Sequence, residues 1–334
     1  MMENVRIGIV GLGGIAQLVH IPILSKIPVV TIVAASETNK EKLRTVSDKF
    51  GIKNRYTNYR EMLEMTELDA VIIATPTDTH KEIAIECIKA GKDIFIEKPA
   101  ARSYEEVKDI YDISRKHSVK VLVGMNARFR PDAMLLKSLI TSNELGELYY
   151  IRCGWTKKMS SSQKWFMSKA KSGGGVIIDL GIVMLDLACW LFDHPPVKTI
   201  SVQSYAHAAK GVEDSAIGMI RLKNSCVLNF EFSWSLRAEC ESFYLSAFCK
   251  EGTALLNPLR AYKSLDLGQI DYTPARTGNS KDLDKKSYDN QMKHFIGAVR
   301  GNNPVFSSIE DSLEIAKLIE GIYESAGLNK EIAI

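Results

Sequence analysis

The sequence predicts an α/β protein in two parts. A doubly wound parallel sheet occupies the first 125 residues, and a second α/β region built on a mostly antiparallel sheet follows it. Three observations lead there. Short β-rich runs alternate with helix-like segments as far as residue 125. Those runs are almost continuously apolar, as strands covered on both faces must be. Beyond that point strand-like stretches succeed one another across short turns, which favours antiparallel pairing. A length of 334 residues also suits two domains of roughly 150 residues each.

In the first part, strands are expected at 5–10, 29–35, 70–74, 94–97 and 119–123. Between them lie helices at 14–27, 39–50, 78–90 and 103–117. Pro22 must kink or interrupt the first of these. Gly51 and Gly91 stop the second and third, and Ser103 with Glu106 reads as a capping box for the fourth. In the second part the pattern gives a helix at 133–142, a strand near 147–155 and a strongly apolar helix at 175–192. Strands at 199–206, 215–222, 226–234 and 241–248 follow. Residues 266–286 are polar and read as a mobile loop, and helices at 288–300 and 309–327 close the chain. The domains are placed at 1–125 and 126–334, with the last helices able to pack back on the first.

Composition narrows the function. The chain is 46% hydrophobic and 25% charged, as in an ordinary globular protein, which excludes disorder, collagen and a disulfide scaffold. Lys plus Arg total 43 against 40 Asp plus Glu, too even a balance to attract nucleic acid. The basic cluster at 281–286 is interleaved with Asp282 and Asp284 and reads as solvated loop. Cys87, Cys153, Cys189, Cys226, Cys240 and Cys249 show no C-x-x-C spacing, so reduced thiols and a cytoplasmic protein are expected. No apolar run of membrane-spanning length is read, and the start carries no cleavage-site pattern. No metal is assigned: His20, His194 and His294 lack ligand spacing.

Gly11-Leu12-Gly13-Gly14-Ile15-Ala16 is G-x-G-x-x-A directly after the first strand. Gly11 permits a tight turn, Gly13 lets a pyrophosphate approach the backbone, and Ala16 lets helix and strand pack closely. The helix start then offers N–H groups to the phosphates. The selector of the adenosine ribose belongs at the end of the second strand, where Ser36 and Glu37 stand. Glu37 can accept from ribose hydroxyls and repel a 2′-phosphate. Ser36, with Lys40 and Lys42 close by, can tolerate one. NAD is the expected cofactor, with NADP left open; the competing reading of Glu37 is an exposed helix-entry residue.

Farther on stand Ala74-Thr75-Pro76-Thr77-Asp78-Thr79-His80, then Glu97-Lys98-Pro99, then Gly173-Gly174-Gly175 with Asp179 and Gly181. In this order after the glycine loop, the whole chain resembles the Gfo/Idh/MocA oxidoreductases. The resemblance implies a Rossmann domain followed by an α/β domain whose large open sheet mediates homodimers or homotetramers. It implies that Thr75, Pro76 and His80 lie beside the cofactor, that Glu97 and Lys98 face the nicotinamide, and that Asn126 and Arg128 lie near cofactor and substrate. It also implies a small-molecule sugar or polyol substrate. Lys98 has the chemistry to orient an alcohol and exchange its proton; a surface Lys paired with Glu97 is the plainer alternative.

One position departs from the pattern. Where the family's dehydrogenases carry a histidine four residues after the Asp, this chain has Val183. Val cannot titrate, so Lys98 with Asp179, a replacement such as His207, Lys157, Lys158 or Tyr288, or loss of the usual oxidation are all open. Asp179 can also serve merely to complement a helix dipole. Trp155 and Trp165 are either sugar-lining or core aromatics. The leading expectation is an NAD(P)-dependent oxidoreductase of a secondary alcohol. The alternatives are a dinucleotide-binding regulator without turnover and a redox-assisted glycosidase.

Overall fold

A computed structural model describes residues 4–159, 164–207, 209–234, 241–266, 268–274 and 280–334. The chain divides into two compact units. One comprises Met1–Met125 with Tyr288–Leu313, the other Asn126–Ser287 with Glu314–Ile334.

The first unit holds six strands: β1 (Val5–Val10), β2 (Val30–Ser36), β3 (Asn54–Tyr56), β4 (Ala70–Ile73), β5 (Asp93–Ile96) and β6 (Val121–Val123). They form one parallel sheet in the order β3-β2-β1-β4-β5-β6. The chain runs outward from β1 to β3 and then restarts at β4 on the other side. The crevice at the carboxyl ends of β1 and β4 is therefore the switch point where such sheets take ligands. β4 is buried at every position and β1 at all but Arg6, which is why β4 reads as an unbroken apolar run and β1 as one broken only there.

Local signals set the helix ends. The Asn39 side chain accepts from the Lys42 N–H to open Lys40–Phe50, and Gly51 closes it at φ 70°. Ser103 Oγ accepts from the Glu106 N–H at 3.3 Å. The Glu106 carboxylate returns to the Arg102 N–H, one residue earlier than the capping-box pattern places it. The segment expected as one kinked helix at 14–27 is wound as a π-turn over Ala16–His20, then as α-helix over Ile21–Leu24 with Pro22 in its first turn. The widened turn accommodates a residue that has no N–H to give back. β3 and the short helix Tyr59–Leu63 were not expected; a three-residue edge strand carries no apolar pattern. Phe295, from the helix Ser280–Val299, packs edge-to-face on Phe95 of β5, and Lys120 Nζ donates to the Ala298 carbonyl.

The second unit holds β7 (Leu148–Thr156), β8 (Val197–Tyr205), β9 (Ser215–Leu222), β10 (Val227–Ser233), β11 (Ser242–Cys249), β12 (Gly252–Leu256), β13 (Arg260–Leu265), β14 (Gly268–Asp271) and β15 (Ile332–Ala333). Their order is β14-β13-β12-β11-β7-β10-β9-β8-β15. Pairing is antiparallel except between β7 and β10. A buried helix, Ile182–Leu191, is entered through a π-turn at Ile177–Gly181. Gly181 lets it lie on the sheet, since a Cβ there would meet the Phe232 ring at 2.9 Å.

Two expectations need correction. Lys169–Leu191 does contain a stretch apolar enough to cross a membrane, with mean hydropathy 1.9, but it is 100% buried and forms the core of this unit. The mobile loop expected at 266–286 instead includes β14, paired with β13, and the first turns of the helix Ser280–Val299. β14 is exposed at all its positions, so no apolar rhythm marked it. Residues 267 and 275–279, and Cys240, lie outside the described residues.

Candidate active site

The glycine loop follows β1. Gly11 has φ 90°, and a Cβ there would stand 2.6 Å from the Ala74 carbonyl oxygen; its N–H donates to Ser36 O at 2.9 Å. Gly11 is thus required by the chain's own packing at the switch point. Gly13 and Gly14 differ. A Cβ on Gly13 would meet only Ala74 O at 3.9 Å, and one on Gly14 would meet nothing within 4 Å. The chain leaves open space above two consecutive glycines at a helix start, which fits a pyrophosphate approaching the backbone. Ile15 is half-buried and Ala16 fully buried beneath them.

Glu37 lies at the end of β2. Its Oε2 accepts from the Leu12 N–H and from Lys42 Nζ, both at 3.1 Å, and its Oε1 accepts from the Asn39 N–H at 3.1 Å. Burial works against the charge. The Asn39 and Leu12 N–H groups and the Lys42 ammonium outweigh it and hold the carboxyl below its usual range. Glu37 is an ionised acid fixed against the glycine loop, not a loosely exposed helix-entry residue. Ser36, expected to tolerate a 2′-phosphate, is 3% exposed.

The loop after β4 presents a half-buried Thr75 and an exposed Pro76; Thr79 Oγ1 donates to Thr75 Oγ1 at 2.7 Å. His80 was expected beside the cofactor. It is 1% exposed, and its ring nitrogens lie 2.9 Å from the carbonyl oxygens of Pro99 and Thr75. Burial pushes its pKa down against the pull of both carbonyls, and a neutral ring donates to only one of them. His80 therefore sits between the Thr75 and Pro99 segments, hydrogen-bonded to one of them, rather than open to solvent.

Glu97 and Lys98 follow β5. Glu97 Oε1 lies 2.7 Å from His20 Nε2, and its Oε2 accepts from the Lys98 N–H at 3.1 Å. Burial raises the cost of the charge. The His20 hydrogen bond and the nearby Lys98 ammonium overcome it and keep the carboxyl below its ordinary range. Lys98 itself is half-buried. His20 is fully buried and was passed over in the sequence because only metal spacing was sought. The π-turn that aims it at Glu97 leaves no signature there.

In the second unit several expectations change. Arg128, expected near substrate, is 1% exposed and held by Asp186: Nε donates to Oδ2 at 2.8 Å and Nη2 to Oδ1 at 2.7 Å. A guanidinium so buried needs this carboxylate, so its role is structural. Asn126 donates to Ser287 Oγ at 2.9 Å. The glycine run was expected to admit a ligand. Instead, a Cβ on Gly174 would fall 1.8 Å from Tyr323 OH, and one on Gly175 1.9 Å from the Glu213 carbonyl oxygen. Glu213 Oε1 accepts from the Gly175 and Ile177 N–H groups and from Tyr323 OH. Those glycines make room for this half-buried anchor.

Asp179 is 5% exposed and accepts from Trp234 Nε1 at 3.1 Å. Phe166 packs on Trp234 at 5.5 Å, and Trp165 on Phe166 at 5.4 Å. An aromatic row thus leads from Trp165 to Asp179; Trp234 was not singled out in the sequence. Val183 is buried. Trp155 is engaged elsewhere: its Nε1 donates to Glu241 Oε1 at 2.7 Å, and Lys157 Nζ covers its ring at 4.9 Å. That face is not open to a sugar. His207 stacks on Tyr205. Among the described residues no three His, Cys, Asp or Glu side chains gather as metal ligands.

Comparison with known proteins agrees with this architecture. Residues 5–125 match the model of the oxidoreductase family with an NAD-binding Rossmann fold, and residues 134–255 match the Gfo/Idh/MocA C-terminal domain. The chain is 26% identical to D-glucoside 3-dehydrogenase of Escherichia coli K12, over 96% of this chain and 95% of that protein. It is 28% identical to myo-inositol 2-dehydrogenase of Thermotoga maritima over 66% of each. The structure of levoglucosan dehydrogenase in complex with NADH shares the fold, with TM-score 0.90, 22% identity and 99% coverage of both chains. The glycine loop, the acid at the end of β2 and the two family matches lead to one conclusion: the chain belongs to the Gfo/Idh/MocA oxidoreductase family and carries its NAD-binding Rossmann domain at residues 5–125.

Proposed function

We propose that the protein is an NAD-dependent oxidoreductase interconverting a secondary alcohol of a sugar, cyclitol or related polyol with its ketone. The observation that carries this reading is the joint placement of the open Gly13–Gly14 cradle and of Lys98 at the carboxyl ends of strands in one sheet. The names of the relatives, among them a glucoside and an inositol dehydrogenase, support the substrate class. Bound there, NAD would supply the acceptor for the hydride of the carbinol carbon.

The chain's own residues do the rest. Gly11 makes the turn, and Gly13 and Gly14, with the N–H groups from Gly13 to Ala16, take the pyrophosphate. Glu37 takes the adenosine ribose, and Thr75 and Pro76 border the cofactor. Lys98 orients the reacting oxygen and, once its ammonium has given a proton to solvent, takes the hydroxyl proton during oxidation and returns it during reduction. Glu97 fixes the Lys98 backbone N–H and supplies a negative charge beside it. In the second unit, Asp179 and the row from Trp165 to Trp234 are assigned to the polyol, whose hydroxyls and apolar ring face suit a carboxylate and indoles. The outer face of the nine-stranded sheet is assigned to homodimer or homotetramer formation. Ile217, 50% exposed, lies there, as does Asn229, whose buried Oδ1 has no partner among the described residues.

The test is nicotinamide absorbance during incubation with NAD and a panel of glucosides, sugars and inositols, using wild type and Lys98→Ala. Turnover by wild type and none by Lys98→Ala is expected; full turnover by the variant contradicts the role of Lys98. The buried Val183 favours one second reading, a dinucleotide-binding regulator. That reading requires tight NADH binding with no turnover of any compound in the panel.

A further inference from the structure

Glu213 satisfies the start of a helical segment that lies 38 residues earlier in the chain. Its Oε1 accepts from the Gly175 N–H at 2.9 Å, from the Ile177 N–H at 3.0 Å and from Tyr323 OH at 2.9 Å. Its backbone oxygen accepts from the Val176 N–H at 3.0 Å. These three successive N–H groups open the segment that carries Asp179, and the first turn of a helix has no carbonyl of its own to offer them. The Asp179 N–H in turn donates to Gly175 O at 3.0 Å. The next residue acts on the other partner of Asp179. Asp214 O accepts from the Trp234 N–H at 2.8 Å, and Trp234 Nε1 donates to Asp179 Oδ2 at 3.1 Å. The pair Glu213–Asp214 thus holds both the acceptor and the donor of that hydrogen bond. We propose that Glu213 is the positioning residue of Asp179: anchored by Tyr323, it sets where the Asp179 carboxylate stands.

The physical grounds are convergence and reach. Three donors meet on one oxygen, so the length of the Glu213 side chain decides whether they are reached together. The fit has no slack: a Cβ on Gly175 would fall 1.9 Å from Glu213 O. Ser172 Oγ holds the same turn from the preceding side, donating to Gly174 O at 2.7 Å. A negative charge at a helix start also suits the dipole. That effect survives a small change of distance, whereas a hydrogen bond weakens sharply once its acceptor is drawn back. The inference rests on the assignment of Asp179 to the polyol in the proposed function.

The test separates length from charge with two variants. Glu213→Gln is neutral and of the right length; Glu213→Asp is charged and one methylene short. Both are labelled with fluorotryptophan and read by fluorine NMR, in which Trp234 is one of four indoles and is assigned by Trp234→Phe. Glu213→Gln should leave the Trp234 resonance in place. Glu213→Asp should shift it while leaving that of Trp155, which is bonded to Glu241, unmoved. With NAD and the panel compound that wild type turns over best, kcat/KM should fall about tenfold or more in Glu213→Asp, within the cost of misplacing a site group by about 1 Å. Glu213→Gln should restore it, and NADH affinity should be unchanged in both. An unmoved Trp234 resonance in Glu213→Asp, or an equal shift in Glu213→Gln, overturns the inference. So does a shifted resonance with wild-type kcat/KM. If the resonance shifts as expected but wild type turns over no compound of the panel, Glu213 stands as the anchor of Asp179 and the oxidoreductase reading is what fails.

Discussion

His20 Nε2 and Glu97 Oε1 lie 2.7 Å apart beneath the strand end that carries Lys98. His20 Nδ1 is buried with no partner among the described residues. His20 Nε2 faces the Glu97 carboxylate, whose other oxygen, Oε2, accepts from the Lys98 N–H at 3.1 Å. Replacing His20 by Ala strands that carboxylate. Chemical denaturation should show a loss of about 1–3 kcal/mol, and His20→Gln, which keeps a donor, should recover part of it. A loss below about 0.5 kcal/mol for His20→Ala, the range of an ordinary surface change, would refute the pairing.

The same pair predicts an acid limb. The Glu97 carboxyl is held below its ordinary value of 4.5 in the folded protein. Its contribution to stability is therefore present above that value and is lost as pH falls through it toward the lower folded pKa. Denaturation midpoints should drop less steeply for Glu97→Gln than for wild type between about pH 5 and pH 3. Equal slopes would show that Glu97 is not held ionised.

Two glycines of one loop should fail in different ways. Gly11→Ala places a Cβ 2.6 Å from a backbone oxygen at φ 90°, so it should lose at least about 1–3 kcal/mol of stability. Gly13→Val should stay within about 1 kcal/mol of wild type, because its Cβ meets only one atom, at 3.9 Å, yet it should lose cofactor binding. Undiminished NADH affinity in Gly13→Val would remove the cradle from the account.

Arg128 and Asp186 should behave as a structural unit. Arg128→Ala leaves Asp186, which is fully buried, without its cation, and thermal or urea unfolding should register a loss of about 3–5 kcal/mol. Arg128→Met with Asp186→Leu should be milder than either single change to Ala. A stable Arg128→Ala protein with only a raised KM would return Arg128 to the substrate.

These contrasts mark what the sequence could disclose. The parallel sheet and the glycine loop were legible because buried strands read as apolar runs and because Gly11 and Gly13 follow one directly. The ends of helices were legible from Asn39, Gly51 and Ser103, whose side chains or backbone freedom act locally. What stayed hidden depends on residues distant in the chain. Gly174 and Gly175 resemble a ligand approach until Tyr323 and Glu213 are seen filling the space above them. Arg128 looks like a substrate residue until Asp186 appears beside it. His20 is an unremarked residue of a first helix until a π-turn aims it at Glu97. β14 is exposed throughout, and in the first turns of the helix Ser280–Val299 the exposed Asp282, Asp284, Lys285 and Lys286 surround the buried Leu283, so hydrophobic periodicity could not register them.

The central claim is a dinucleotide site built on the Gly11–Ala16 loop and Glu37, serving Lys98. Calorimetric titration of nucleotide-free wild-type protein with NADH tests it most directly. The account predicts saturable binding of one NADH per chain, with Lys98→Ala binding within a few-fold of wild type and Gly13→Val giving no heat. An absence of binding by the wild-type protein would contradict it.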